Sequence, residues 1–186
     1  LQEQEFFASR SDEIASAVNA AARKKLIAAL PKTDPILWDA WCAASREAEG
    51  QSHLIRDSGR YPLCGKGDVN TYALFAEHNH SVLGPKGRAG FIVPTGIATD
   101  DTTKDYFATL VQRAELASFY GFENEEFIFP AVHHAFKFAL LTVNRAGSSA
   151  YADLVFFARQ VSALANRDRH FSLSPADFAI LNPNTR

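Results

Sequence analysis

The chain has 186 residues, of which 47% are apolar and 12% aromatic, enough to build a core and to exclude global disorder. Its 19 Lys and Arg against 21 Asp and Glu leave a net charge of −2, so no overall basic field advertises nucleic acid and any such role rests on local patches. Two cysteines, Cys42 and Cys64, stand far apart without a companion pair, which argues against a disulfide framework and for a reducing, cytoplasmic setting. No run reaches the ~18 apolar residues of a membrane span, and the first residues lack a signal-peptide pattern. The sequence holds no methionine and stops at LNPNTR, and it reads as a piece of a larger protein.

SRSDEIASAVNAAARKKLIAALP predicts one helix. Ser11 caps it, Asp12 and Glu13 suit the positive end of its dipole, and Ile14, Val18, Ala21, Ala22, Leu26 and Leu30 recur at helical spacing until Pro31 ends it. A second helix follows, with Thr33 or Asp34 as cap, Pro35 in first position and Gly50 past its end. QSHLIRDSGRYPLCGKGD then reads as a long polar connection. Asp68 is expected to open a third helix, VNTYALFAEHNHSVL, closed by Gly84-Pro85. The turn GPKG delivers the chain into a short buried strand, RAGFIVP, and the polar loop TGIATDD leads to a fourth helix through about Gln112. Tyr106, Phe107, Leu110 and Val111 form the inner face of that helix.

ELASFYGFE and AFKFALLTVN read as strands with no crossover helix between them, so they are expected to pair antiparallel. GSSAY reads as a linker, ADLVFFA as strand or helix, and LSPADFAIL as a small helix with Ser174 as cap and Pro175 first. This cadence suits an α/β fold, the second half of a doubly wound sheet with helices before it. Three parts are expected: a helical segment over 1–60, the half-domain over 61–146 and a connector over 147–186.

A strand that ends in Pro94-Thr95-Gly96 and empties into small polar residues marks the kind of crevice where ligands sit in open α/β sheets. Familiar signatures are missing: no phosphate loop, no dinucleotide fingerprint, no nucleophile-elbow serine; CGKG and GPKGRAG read as turns. His78 and His80 are two apart on a helix, and His133 and His134 are adjacent in an extended segment, so neither pair faces a shared metal and none is expected. In FIFPAVHH, Phe127 is expected in the core. Phe129, beside Pro130, reads either as core or as an aromatic face at a crevice lip, suited to stacking on a nucleobase. GDVNTYALF is a second wall, with Asp68 and Asn70 at a helix start and Phe75 beneath the crevice, or simply a cap and a core aromatic. ANRDRHF gathers Arg167, Arg169 and His170, with Arg159 nearby, as phosphate contacts or as a solvated connector.

Taken together, GDVNTYALFAEHNHSVLGPKGRAGFIVPTGIATDD and LASFYGFENEEFIFPAVHHAFKFALLTV resemble the second half of the catalytic domain of adenine-specific DNA methyltransferases, of the large bacterial kind found in restriction–modification and phage-exclusion systems. In that group LQEQEFFASRSDEIASAVNAAARKKLI resembles the stretch after the Asn-Pro-Pro-aromatic catalytic motif, and HFSLSPADFAILNPNTR the connector toward the target-recognition region. The resemblance covers essentially the whole chain. It implies a Rossmann-like sheet of seven strands whose last two form an antiparallel hairpin, S-adenosylmethionine as cofactor, and a target adenine rotated out of double-stranded DNA. The exocyclic amine then attacks the methyl group directly.

Residue by residue, the resemblance implies that Phe129 stacks on the flipped adenine and that Pro94 and Thr95 line the target-base side, with His133 touching base or backbone. It places Phe75 on the cofactor's adenine ring, with Asn70 and Tyr72 as neighbours. The glycine-rich cofactor loop, the acidic residue that grips the ribose and the Asn-Pro-Pro-aromatic motif are absent from the chain, and NPNT at Asn182 lacks the second proline and the aromatic. The chain alone is therefore expected neither to bind cofactor tightly nor to transfer methyl groups. An exposed sheet edge is expected to favour self-association. The rival reading is a non-catalytic α/β binding or scaffold module.

Overall fold

A computed structural model describes residues 1–145 and 150–181, which fall into two compact units, Leu1–Arg60 and Tyr61–Arg186. The Gly147–Ser149 part of the expected linker and the NPNT stretch at Asn182 lie outside the described residues.

The first unit is helical: α1 (Glu3–Phe7), α2 (Asp12–Ala15), α3 (Ala20–Thr33) and α4 (Pro35–Asp57). The single helix expected from Ser11 to Leu30 is broken. Ser11 does cap α2, but the chain leaves the helix at Ser16 and restarts at Asn19, whose side chain accepts the Ala22 amide at 2.9 Å. Ser and Asn side chains compete with the backbone for hydrogen bonds, and here they win locally, leaving Val18 exposed. Pro31 lies inside α3 rather than ending it; in the last turn its ring forfeits little of the ladder. Asp34 then caps α4, accepting the Leu37 amide at 3.0 Å, with Pro35 in first position. Gly50 does not close α4, which takes in the first residues of the supposed polar connection. Side-chain bridges one turn apart, Gln51 to Glu47 across the glycine and Arg56 to Ser52 and His53 to Asp57 beyond it, offset its cost of about 1 kcal/mol relative to alanine. Phe6, Phe7, Ile14, Ile27 and Leu30 form the core of this unit, against Trp38 and Trp41.

The second unit is α/β. In chain order it contains α5 (Thr71–Ser81), β1 (Arg88–Pro94), α6 (Gly96–Thr99), α7 (Lys104–Gln112), β2 (Leu116–Glu123), β3 (Lys137–Asn144), β4 (Ala152–Ala158), β5 (Phe171–Leu173) and α8 (Pro175–Leu181). Among the described residues five strands form one mixed sheet in the order β1-β3-β2-β4-β5. β2 and β3 pair antiparallel, as their direct connection required, and β3 also pairs antiparallel with β1. β1 and β2 therefore run the same way, and β4 runs with them, parallel to β2. ADLVFFA is thus a strand, and residues expected to act as a connector add β4 and β5 to the sheet. Consecutive buried Leu154 and Val155 are what a strand covered on both faces carries.

Directly paired residues point to the same side of a sheet, so Val93, Ala139 and Phe119 belong to one face and Pro94, Phe138, Leu140, Tyr120 and Phe122 to the other. α7 supplies the core with Tyr106 and Leu110, both fully buried. The Tyr106 hydroxyl donates to the Ala76 carbonyl at 3.1 Å and joins α5 to α7. His80 on α5 sits 2.9 Å from Glu115 in a buried pair, within ion-pair reach but without hydrogen-bond alignment. Burial pulls the His80 pKa down despite that carboxylate. On the other face, Phe122, Val155 and Ala158 are packed by Ile128, Phe138 and Leu164.

Asn70, not Asp68, caps α5. The loop before it is held from beneath by Glu77, whose two carboxylate oxygens accept the amides of Leu63 (3.0 Å) and Cys64 (2.8 Å). Burial, reinforced by Glu77, pushes the Cys64 thiol up to about 12, which makes it an inert core thiol. Among the described residues no helix is long and apolar enough to cross a membrane.

Candidate functional site

The carboxyl ends of β1 and β2 lie at one end of the sheet, separated only by the start of β3. Register places Pro94 and Phe122 on either side of Phe138, all three on one face. Phe138 stacks on Phe122 with ring centroids 5.1 Å apart and planes 7° apart, and Phe129 meets Phe138 edge-on at 4.9 Å. The Thr95 amide donates to the Lys137 carbonyl at 3.3 Å. The structure therefore brings Pro94 and Phe129 to one aromatic row through Phe138, whereas Thr95 joins it only through the backbone of Lys137. Phe129 keeps 36% of its surface exposed. Its edge contact with Phe138 fixes its place without sealing it, an intermediate outcome between the core and lip readings.

Phe127 is a correction. Expected in the core, it is 52% exposed, because it ends the 3-10 turn Asn124–Glu126 in a left-handed conformation (φ 53°) that turns its ring outward. Ile128 fills the core in its place. His133 and His134 do not point apart either. The segment is a turn rather than an extended strand, and the two rings lie 4.4 Å apart. His133 is exposed, and its Nδ1 accepts the Ala135 amide at 3.2 Å. Among the described residues no group of three or more His, Cys, Asp or Glu is placed to hold a metal ion.

The residue that sequence reasoning missed is Asn124. It is wholly buried, and its side chain accepts the Phe129 amide (2.9 Å) while donating to the carbonyls of Phe129 (3.0 Å) and Val132 (2.8 Å). An asparagine at the mouth of a long loop is a usable signal, since its amide can stand in for missing backbone partners.

The second wall starts at Asn70, which accepts the Tyr72 amide at 3.4 Å. The Tyr72 hydroxyl donates to Asp100 at 3.4 Å and ties the start of α5 to the loop beyond β1; burial and then Asp100 raise its pKa. Asp100 folds back over Gly96 so closely that a Cβ there would collide with the carboxylate. Phe75 is 65% exposed, so it is not the core aromatic of the simpler reading. On the opposite face of the sheet a cavity of about 950 Å³ runs between α7 and α8, lined by Phe107, Phe119, Phe156 and Phe178, and reaches Thr95 and Lys137. No sequence pattern pointed to it, because its walls come from segments remote in the chain.

Of the basic residues, Arg169 is occupied. Its guanidinium donates to the carbonyls of Phe156 (3.3 Å) and Phe157 (3.1 Å), where β4 bulges and Phe157 takes a φ of 55°. Arg159 and Lys137 share Glu123, and the hydrogen bond from Arg159, ahead of Lys137, holds that carboxyl below its ordinary range. Arg167 is exposed at the start of a 3-10 turn capped by Asn166.

His170 faces acceptors on both ring nitrogens: Asp153 at 2.9 Å from Nδ1 and the Leu164 carbonyl at 3.0 Å from Nε2. Tyr120 donates to the same carboxylate at 2.6 Å. Only the imidazolium satisfies both contacts, and the Asp153 hydrogen bond, then the Leu164 carbonyl, raise the His170 pKa. A raised folded-state pKa adds stability that is complete below the unfolded value of about 6.5 and is lost as pH rises through the folded value. Urea unfolding of His170→Phe against wild type is expected to show a larger stability gap at acidic than at alkaline pH. A gap independent of pH would remove the imidazolium from the fastening.

No protein-family model matches the chain, and no curated protein sequence matches it.

Proposed function

We propose that the chain is the second half of the catalytic domain of an adenine-N6 DNA methyltransferase acting in restriction–modification or phage defence, with Phe129 stacking on an adenine rotated out of the duplex. The observation that carries this reading is the Phe129 ring, 36% exposed and edge-on to Phe138, the residue that pairs with Pro94 at the carboxyl end of two parallel strands. An open sheet binds its ligands at that end. The antiparallel β2–β3 pair suits the hairpin of a Rossmann-like methyltransferase sheet, although β4 and β5 extend this sheet beyond it, so the hairpin is not terminal.

S-adenosylmethionine, when bound, supplies a methyl group on positively charged sulfur. The chain offers one wall for it: the exposed Phe75 ring can lie on a purine, and Asn70 and Tyr72 stand at the same helix start. The remaining walls are not in this sequence, so the chain alone contributes positioning of the base rather than the whole reaction. In an assay with radiolabelled cofactor and DNA, the full-length protein is expected to transfer methyl groups and the 186-residue chain none. Transfer by the chain alone would contradict this division of labour.

Double-stranded DNA is the partner of this reading, and Arg167 the phosphate contact that the geometry leaves exposed. Replacing Arg167 by Ala in the full-length protein should flatten the logarithmic salt dependence of DNA binding by about 0.9. Arg169→Ala should disturb the β4 bulge as well. An unchanged salt slope for Arg167→Ala would dismiss that contact. Among the described residues β1 has a strand neighbour on one side only, so the isolated chain has an edge through which it can self-associate. A reducing cytoplasm suits the free Cys42 and Cys64.

The rival reading, a non-catalytic α/β binding or scaffold module, draws on the absence of the glycine-rich loop and the Asn-Pro-Pro-aromatic motif from this chain. Finding both motifs in the coding sequence upstream of Leu1 would set it aside.

A further inference from the structure

The loop between β2 and β3, residues 124–136, is long for a hairpin, and nearly all of it is exposed. A loop of this kind has little buried apolar surface to order it, and Pro130 deprives it of a ladder donor next to Phe129. Besides the Ile128 anchor and local turn bonds, one residue ties its first half together. The Asn124 amide group donates to the Phe136 carbonyl (3.2 Å) and closes the base of the loop, while the Asn124 carbonyl accepts the Phe127 amide (2.9 Å). The side chain then pairs with both backbone groups of Phe129, accepting its N–H and donating to its C=O, and spends its second N–H on Val132. Every donor of Asn124 is used, and none of its surface reaches solvent. The side-chain amide thus replaces the neighbouring strand that Phe129 lacks and fixes the backbone from which its ring projects.

We propose that Asn124 is the positioning residue for base stacking: it holds the Phe129 backbone so that the ring stands edge-on to Phe138 and open to the crevice. The role rests on the methyltransferase reading above, whereas the hydrogen bonds beneath it do not. Asn124 touches neither base nor cofactor, and acts only through Phe129.

Two measurements separate these layers. In the 186-residue chain, hydrogen exchange of the Phe129 amide should be slow in wild type and at least tenfold faster in Asn124→Ala. The amides of β2 and β3 should stay protected, which shows the variant is folded. Asn124→Asp guards against a variant that fails to fold. It keeps the size and the acceptor for the Phe129 amide, but sets a carboxylate oxygen against the carbonyls of Phe129 and Val132 and should loosen the same segment. A Phe129 amide as protected in both variants as in wild type overturns the proposal.

In the full-length protein, Asn124→Ala should lower kcat for methyl transfer to unmethylated, enzymatically amplified DNA at least tenfold, with KM for S-adenosylmethionine unchanged. In a Phe129→Ala background the same substitution should change kcat less than twofold, because the ring it positions is gone. Two effects that simply multiply would show that Asn124 does not work through Phe129 and would overturn the proposal. A wild-type protein that transfers no methyl group overturns the reading beneath it, and with it the role assigned to Asn124.

Discussion

Phe129→Ala in the full-length protein should lower methyl transfer to adenine by the worth of one base–aromatic stack, about 1–3 kcal/mol. The ring makes an edge contact with Phe138 and keeps 36% of its surface exposed, so its removal should lower the melting temperature less than a core deletion does. The loss should fall on steps that involve the base, leaving KM for S-adenosylmethionine near wild type, since Phe75, Asn70 and Tyr72 belong to a different wall. Phe129→Tyr or Phe129→Trp should retain most of the rate, because any aromatic face can stack. Wild-type turnover by Phe129→Ala would remove the residue from the reaction. A collapse in melting temperature equal to that of a core deletion would make it structural.

Glu77→Ala should be among the most damaging substitutions for stability. The residue is 5% exposed, and its carboxylate holds two backbone amides, that of Cys64 in a buried contact and that of Leu63 in a partly buried one. A buried amide left unsatisfied costs about 1–3 kcal/mol and the partly buried Leu63 amide about 1 kcal/mol, which puts the loss at about 2–4 kcal/mol and a large fraction of a typical domain's stability. Glu77→Gln keeps one acceptor and should lose roughly half as much. Urea unfolding would show a lower midpoint at an unchanged slope. The loop from Tyr61 to Asn70 should also exchange its amides faster, since Glu77 ties it to α5. An unchanged midpoint would mean that the loop is held by other contacts.

The parts of the fold that were readable rest on local chemistry. RAGFIVP lies between a tight turn and a polar loop and forms β1, Asp34-Pro35 opens α4, and β2 and β3, joined without a crossover helix, pair antiparallel. The errors arise where several weak local preferences compete. Gly50 reads as a helix end, but the Gln51–Glu47 bridge across it and the bridges beyond carry α4 through. Ser16 and Asn19 split a periodic apolar pattern that looks continuous. Phe127 and Ile128 exchanged roles because a left-handed residue at a turn reverses which neighbour faces the core, and such a conformation outside glycine leaves no mark in composition. β4 joins the sheet through β2 and β5 through β4, long-range choices that an apolar run readable as strand or helix does not reveal.

At the crevice, the aromatic and proline residues were visible as types, and Phe129 beside Pro130 was singled out for that reason. What could not be seen was the support. Asn124 looks like an ordinary turn residue until its five hydrogen-bonded groups are placed in space. Arg169 looks like a phosphate ligand until the carbonyls of Phe156 and Phe157 are found against it. Side-chain type suggests what chemistry is possible; the neighbours decide which groups remain available for it.

Mass spectrometry of the nucleosides from DNA incubated with the full-length protein and methyl-labelled S-adenosylmethionine addresses the reaction itself. Label on the N6 position of deoxyadenosine is predicted, at a level that falls sharply with Phe129→Ala. Label on cytosine, or no label in DNA under conditions where the protein is folded, would contradict it.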